Sequence, residues 1–187
     1  MDIHELNSSV FGHSSFREGQ MFLISSILEG RDCLGIMPTG GGKSLCYQIP
    51  AMTLPGLALV VSPLISLMND QVAALRGSGV PAAAYNSSLS TEERRLVRSG
   101  LREGRLKLLY VSPERLESPA FLELLDGLHI PLVAVDEAHC ISQWGQDFRP
   151  SYLGIPDFIA GLPKRPVVAA FTATATAEVR SDIIRLL

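Results

Sequence analysis

Residues 37–44 read Met-Pro-Thr-Gly-Gly-Gly-Lys-Ser. They lie between an apolar run, Asp32–Met37, and a segment of helical period. Consecutive glycines let a backbone turn tightly and aim its N–H groups inward at anionic oxygens. A helix opening near Lys43 adds the positive end of its dipole. In such a loop Thr39, Gly40, Gly41, Gly42, Lys43 and Ser44 cradle a nucleoside triphosphate. Lys43 reaches the β- and γ-phosphates and the Ser44 hydroxyl ligates Mg²⁺. The general pattern has glycine where this chain has Met37. The rival reading is a glycine-rich turn with a solvated lysine, which the strand–loop–helix setting disfavours. Pro50 is expected to kink or end the helix near Ile49.

Working outward, apolar runs rich in β-branched residues alternate with helix-length segments. Strands are predicted at Asp32–Met37, Leu57–Ser62, Ala82–Tyr85, Arg105–Ser112, Pro131–Asp136 and Val167–Thr172. The strongest are apolar at successive positions, as expected of strands covered on both faces. Helices are predicted over Arg17–Glu29 and Leu64–Arg76, and a capping box, Ser90-Thr-Glu-Glu93, opens another to about Leu101. Repeated strand–helix–strand units imply an α/β fold with a doubly wound, mainly parallel sheet and helices on both faces. Ligands of such sheets bind beyond the carboxyl ends of the strands.

At the end of the fifth predicted strand stands Asp136-Glu137-Ala138-His139. A strand tip sends neighbouring side chains in different directions. Asp136 is thus suited to hold Mg²⁺ and Glu137 to polarise an attacking water, with His139 placed to relay the nucleotide state. An acidic helix N-terminus is the plainer reading of the same residues. With the glycine loop upstream, the expectation is that Lys43 and Asp136 meet across adjacent strand tips.

The chain has 187 residues, 47% of them hydrophobic, and a formal net charge of −3. That composition fits one globular domain and argues mildly against a dedicated basic nucleic-acid module, so any DNA contact must be local. Seven of the 16 basic residues fall between Arg94 and Arg115. Arg94, Arg98 and Arg102 repeat at helical spacing and read as a ridge or as a solvated face. Cys33, Cys46 and Cys140 lack zinc-site spacing and suit a reducing compartment. With no signal peptide and no run long enough to span a membrane, a cytoplasmic or nuclear location is expected, with no membrane partner.

Further motifs narrow the reading. Phe11-Gly12 and Phe16-Arg17-Glu18-Gly19-Gln20 precede the glycine loop. Val61-Ser-Pro-Leu-Ile-Ser-Leu-Met-Asn-Asp-Gln71, Tyr110-Val-Ser-Pro-Glu-Arg115 and Phe171-Thr-Ala-Thr-Ala-Thr176 follow it in order. After His139 comes Cys140-Ile-Ser-Gln-Trp-Gly-Gln-Asp-Phe-Arg-Pro150. Together these resemble the first RecA-like, P-loop ATPase domain of RecQ-family DNA helicases, within helicase superfamily 2. The resemblance runs from Phe11 to Thr176.

The resemblance implies that Gln20 reads the adenine edge while Arg17 packs against its ring; both sit on one face of a predicted helix. It implies that Ser62 and Asn69 contact the DNA backbone and that Thr172 and Thr174 couple hydrolysis to strand separation. Gln143, Trp144, Phe148 and Arg149 form the aromatic-rich loop that marks the family. Trp144 and Phe148 offer faces for base stacking, and Arg149 a partner for a phosphate or a carboxylate. Gln146 departs from the family, which generally has His there; glutamine hydrogen-bonds but takes up no proton. ATP and Mg²⁺ are the implied cofactors and single-stranded or duplex DNA the partner.

A helicase of this kind acts in repair and recombination with 3′→5′ travel. The whole chain, residues 1–187, is then expected to be one ATP-binding domain. The second RecA-like domain, the zinc-binding region and other accessory domains would lie outside it, leaving the isolated chain weakly active. An RNA helicase, a duplex translocase or a non-catalytic nucleotide- and DNA-binding module are the competing readings.

Overall fold

A computed structural model describes residues 2–187. Six parallel strands form one sheet: β1 (Cys33–Ile36), β2 (Ala58–Val61), β3 (Ala82–Tyr85), β4 (Leu108–Val111), β5 (Leu132–Val135) and β6 (Val167–Thr172). Their order is β1-β6-β5-β2-β4-β3, and every pairing is parallel. The predicted strands are thus all present, most of them shorter than the apolar runs because their ends turn into loops.

Side chains of each strand alternate between two cores. In β2, Leu59 and Val61 belong to one apolar cluster and Ala58 and Val60 to the other. The helices α2 (Gln20–Leu28), α3 (Lys43–Thr53) and α4 (Ile65–Gly77) cover the second face. The first is covered by α5 (Thr91–Arg102), α6 (Pro119–Leu125), α7 (Ile155–Gly161) and α8 (Ala177–Leu186). A short α1 (Ile3–Ser9) packs beside α2 and α3 through Leu6, Ile24 and Ile49.

The chain steps from β1 to β2 to β3 with helices on one face, then returns through β4, β5 and β6 with helices on the other. Right-handed crossovers demand that change of face when the direction reverses. The Ser90 capping box forms as its sequence predicts, with Ser90 and Glu93 bonded reciprocally.

Two local expectations need correction. Pro50 neither ends nor interrupts α3, which runs on to Thr53, where the Leu54 N–H closes on the Pro50 carbonyl at 2.8 Å. Burial of Tyr47, Ile49 and Ala51 around it holds the helix despite the lost donor. Arg17 precedes α2, which begins only at Gln20, so the two do not share a helical face.

Candidate nucleotide site and aromatic loop

The glycine loop lies beyond the carboxyl end of β1. The Met37 N–H bonds to the Thr172 carbonyl at the tip of β6 (3.0 Å), and the Gly41 N–H closes a turn on the Pro38 carbonyl (2.9 Å). Gly42 has a left-handed φ of 80° and starts α3; a Cβ there would sit 2.3 Å from Gln20 Nε2. A Cβ on Gly41 would meet the Pro38 carbonyl at 2.8 Å. Met37, by contrast, needs no left-handed backbone: its half-buried side chain packs on the second core with its sulfur 3.9 Å from Cys46 Sγ. The departure from the general pattern is therefore structurally harmless.

Gln20 and Arg17 brace this loop. Buried Gln20 accepts from the Arg17 N–H (2.7 Å) through Oε1 and donates to the Gly42 carbonyl (3.1 Å) through Nε2. The Arg17 guanidinium donates to the Gly40 carbonyl. Beside them opens a cleft of about 90 Å³, lined by His13, Ser15, Arg17, Gln20, Gly40 and Gly42 among others. His13 and Ser15 carried no recognisable signal in the sequence. A larger cleft, about 750 Å³, lies between α4 and α5 beside β3, but none of the motif glycines or carboxylates line it.

The acidic pair lies across the sheet from the loop. β1 and β5 are not neighbours; β6 separates them, which corrects the expected adjacency. The two sites nevertheless converge, with Lys43 Nζ 3.8 Å from Glu137 Oε1. His139 Nδ1 lies 3.3 Å from Glu137 Oε2 and 2.9 Å from Thr172 Oγ1. The Thr172 hydroxyl in turn donates to the Thr174 carbonyl at 3.0 Å. His139 thus connects the acidic pair to the loop after β6.

Asp136 is buried, and removal from water together with the neighbouring Glu137 charge pushes its carboxyl up to about 6. The Glu137 N–H and the Lys43 ammonium pull the other way. A buried carboxylate held this way suits a cation. No cluster of three or more His, Cys, Asp or Glu suited to a metal occurs among the described residues. One carboxylate, Asp136, with the half-buried hydroxyl of Ser44, is the sparse oxygen set from which Mg²⁺ is bound together with substrate phosphates. The residues therefore fit that ion.

The aromatic loop runs from Gln143 to Arg149. Trp144 is 76% exposed and Gln143 is exposed, while Phe148 is half-buried. The Ser142 hydroxyl anchors the start of the loop, donating to Asp182 of α8 (2.7 Å) and accepting from the Trp144 N–H (3.2 Å). Arg149 pairs with Asp147 through two nitrogens, 3.1 and 3.0 Å away, and its side chain is about one-third exposed. Asn69, expected to contact the strand, is exposed, and so is Thr174 of the expected coupling motif. Ser62 is not: at 2% exposure it presents no surface to a nucleic acid, while Thr172, expected in a coupling role, is fully buried against His139.

The DEAD/DEAH box helicase model matches residues 17–182. The chain belongs to the DEAD/DEAH box helicase family. This helicase domain is 53% identical over 178 residues to the ATP-dependent DNA helicase RecQ of Bacillus subtilis, covering 95% of the chain and 30% of that protein. It is 50% identical to the RecQ of Haemophilus influenzae (96% and 29%) and 45% identical to the ATP-dependent DNA helicase Q-like 2 of Arabidopsis thaliana (98% and 27%).

The RecQ resemblance drawn from the motifs is therefore borne out, while the chain spans under a third of each of these relatives. Among solved structures, the helicase domain matches DUF1998 helicase MrfA bound to DNA and AMPPNP with a TM-score of 0.75 at 17% identity (100% of this chain, 28% of that one). It matches the Pyrococcus furiosus Hef helicase domain at 0.71 and 24% (92% and 36%). These likenesses establish the RecA-like fold. No helix of the described residues is long and apolar enough to cross a membrane.

Proposed function

We propose that this chain is the ATP-binding motor domain of a RecQ-like, Mg²⁺-dependent DNA helicase that travels 3′→5′ on single strands and acts in repair and recombination. The observation that carries the reading is the convergence of Lys43 on Glu137, with Trp144 exposed on the loop that follows His139. Thr39–Ser44 and the α3 N-terminus receive the triphosphate, and Lys43 balances its terminal charge. Ser44 and Asp136 would hold Mg²⁺, which when bound supplies charge neutralisation on the phosphate oxygens. Glu137 orients the attacking water, and Arg17 faces the base from the cleft beside the loop, with Gln20 holding Arg17 and Gly42 in place.

Gln143, Trp144, Phe148 and Arg149 engage single-stranded DNA, with Asn69 and Thr174 beside the path of the strand. Thr172 supports the loop after β6 from within, through His139 and the Thr174 carbonyl. A second RecA-like domain of the same protein closes the site and supplies arginines. Such arginines are worth about 10³–10⁵ in rate in related chemistry, so residues 1–187 alone are expected to bind ATP weakly and hydrolyse it slowly.

The test is phosphate release by the full-length protein with single-stranded DNA, duplex DNA or RNA, with and without Mg²⁺. Stimulation strongest with single-stranded DNA supports the proposal. Stimulation by RNA alone, or nucleotide binding with no release under any condition, refutes it.

A further inference from the structure

Tyr152 lies in a 3₁₀ turn, Pro150–Gly154, directly after the aromatic loop. Its side chain is fully buried and its hydroxyl donates to the Asp136 carbonyl at 2.8 Å. The Asp136 N–H is already committed to the Val61 carbonyl of β2, at 2.9 Å. Both peptide planes of Asp136 are therefore fixed, one by the sheet and one by Tyr152.

The next residue needs that support. Glu137 has φ 47° and ψ 45°, the only left-handed non-glycine backbone among the described residues. A residue with a Cβ holds such a conformation only where its surroundings over-determine it. That turn sends the Glu137 carboxylate toward Lys43 and His139. Tyr152 is also tied to the loop: its N–H bonds to the Arg149 carbonyl (2.9 Å), and the Arg149 N–H bonds to the Cys140 carbonyl (2.9 Å). The Arg149 guanidinium reaches the Pro63 carbonyl after β2 at 3.5 Å. Gly145 folds the loop against the His139 carbonyl, which a Cβ would approach to 2.5 Å.

We infer that Tyr152 is a positioning residue for Glu137: its hydroxyl holds the Asp136–Glu137 peptide in the hydrolytic geometry and transmits to it any displacement of the loop Gln143–Arg149. The hydrolytic consequence rests on the proposed function; the backbone consequence does not.

The test compares full-length wild type with Tyr152→Phe, which keeps the ring and removes only the hydroxyl. Steady-state ATP hydrolysis is measured with single-stranded DNA, and amide hydrogen exchange over residues 136–141. The expected result is a kcat lowered on the order of tenfold, a KM for ATP within about twofold, and exchange over 136–141 accelerated about tenfold with β5 and β6 unchanged. A kcat split from KM is what a merely structural role would not produce. Wild-type exchange over 136–141, or acceleration spread across the whole sheet, overturns the inference. So does an unchanged kcat in an active wild-type background. If neither protein hydrolyses ATP, the proposed function fails, and the exchange comparison alone still decides the role of Tyr152.

Discussion

Lys43 Nζ and Glu137 Oε1 face each other at 3.8 Å across the tip of β6, with both side chains largely withdrawn from solvent. The separation is too long for a hydrogen bond but close enough for the two charges to attract. A triphosphate that enlists Lys43 must therefore compete with Glu137. Glu137→Gln removes that competition while taking away the carboxylate proposed to polarise water. Nucleotide affinity should rise a few fold while kcat falls by about 10²–10⁴. Titration with a fluorescent nucleotide alongside phosphate release checks both, and a loss of affinity would contradict the competition.

The carboxyl of Asp136, pushed up to about 6 by burial and by Glu137, predicts an unusual pH dependence of stability. The folded state holds a proton that the unfolded chain releases near 4. Stability therefore declines as pH rises from about 4 to about 6 and stays reduced above that, by about 2–3 kcal/mol. Asp136→Asn keeps an oxygen for the Glu137 N–H and removes the charge. Its melting temperature should exceed that of the wild type by about 4–10 °C at pH 7.5, with the two converging below pH 4. Parallel melting curves across that range would show that Asp136 is ordinarily solvated. The variant should nonetheless lose Mg²⁺-dependent hydrolysis, trading stability against function.

Gly42 combines a left-handed backbone with a close approach to Gln20. Gly42→Ala forces Gln20 away from the Gly42 carbonyl and strains the loop, costing about 1–3 kcal/mol. Nucleotide binding should weaken at least tenfold. Because Gln20 also loses its place, Gln20→Ala in the same background should add little further loss. Additive losses in a double-mutant cycle would show the two residues act separately.

The parts of this site that were legible in the sequence are those carried by local spacing. The glycine loop, the acidic pair and the Trp144 loop each announce themselves within about ten residues, and apolar runs, often β-branched, mark the strands. What the sequence did not reveal depends on register between distant segments. Nothing local says that β6 inserts between β1 and β5, that Gln20 bonds to Gly42, or that Tyr152 reaches the Asp136 carbonyl. The burial of Ser62 and Thr172 was hidden for the same reason: a small polar residue at a strand tip reads alike whether loops cover it or not. Pro50 misled because tertiary burial outweighs a single lost helical donor.

Trp144 supplies the sharpest separation between folding and DNA engagement. At 76% exposure its ring contributes little to the core, and its backbone is held by Ser142 rather than by side-chain packing. Trp144→Ala should therefore shift the melting temperature by no more than about 2 °C, because exposed substitutions away from caps and cores change stability by within about 0.5 kcal/mol. If the ring stacks on a base, single-stranded DNA binding should weaken by about 1–3 kcal/mol, and DNA-stimulated hydrolysis should fall while DNA-independent hydrolysis holds. Trp144→Phe should recover much of the loss, since stacking needs a flat face more than an indole N–H. Equal losses for Ala and Phe, or a large drop in melting temperature, would place Trp144 in the architecture of the loop instead of on the path of the strand.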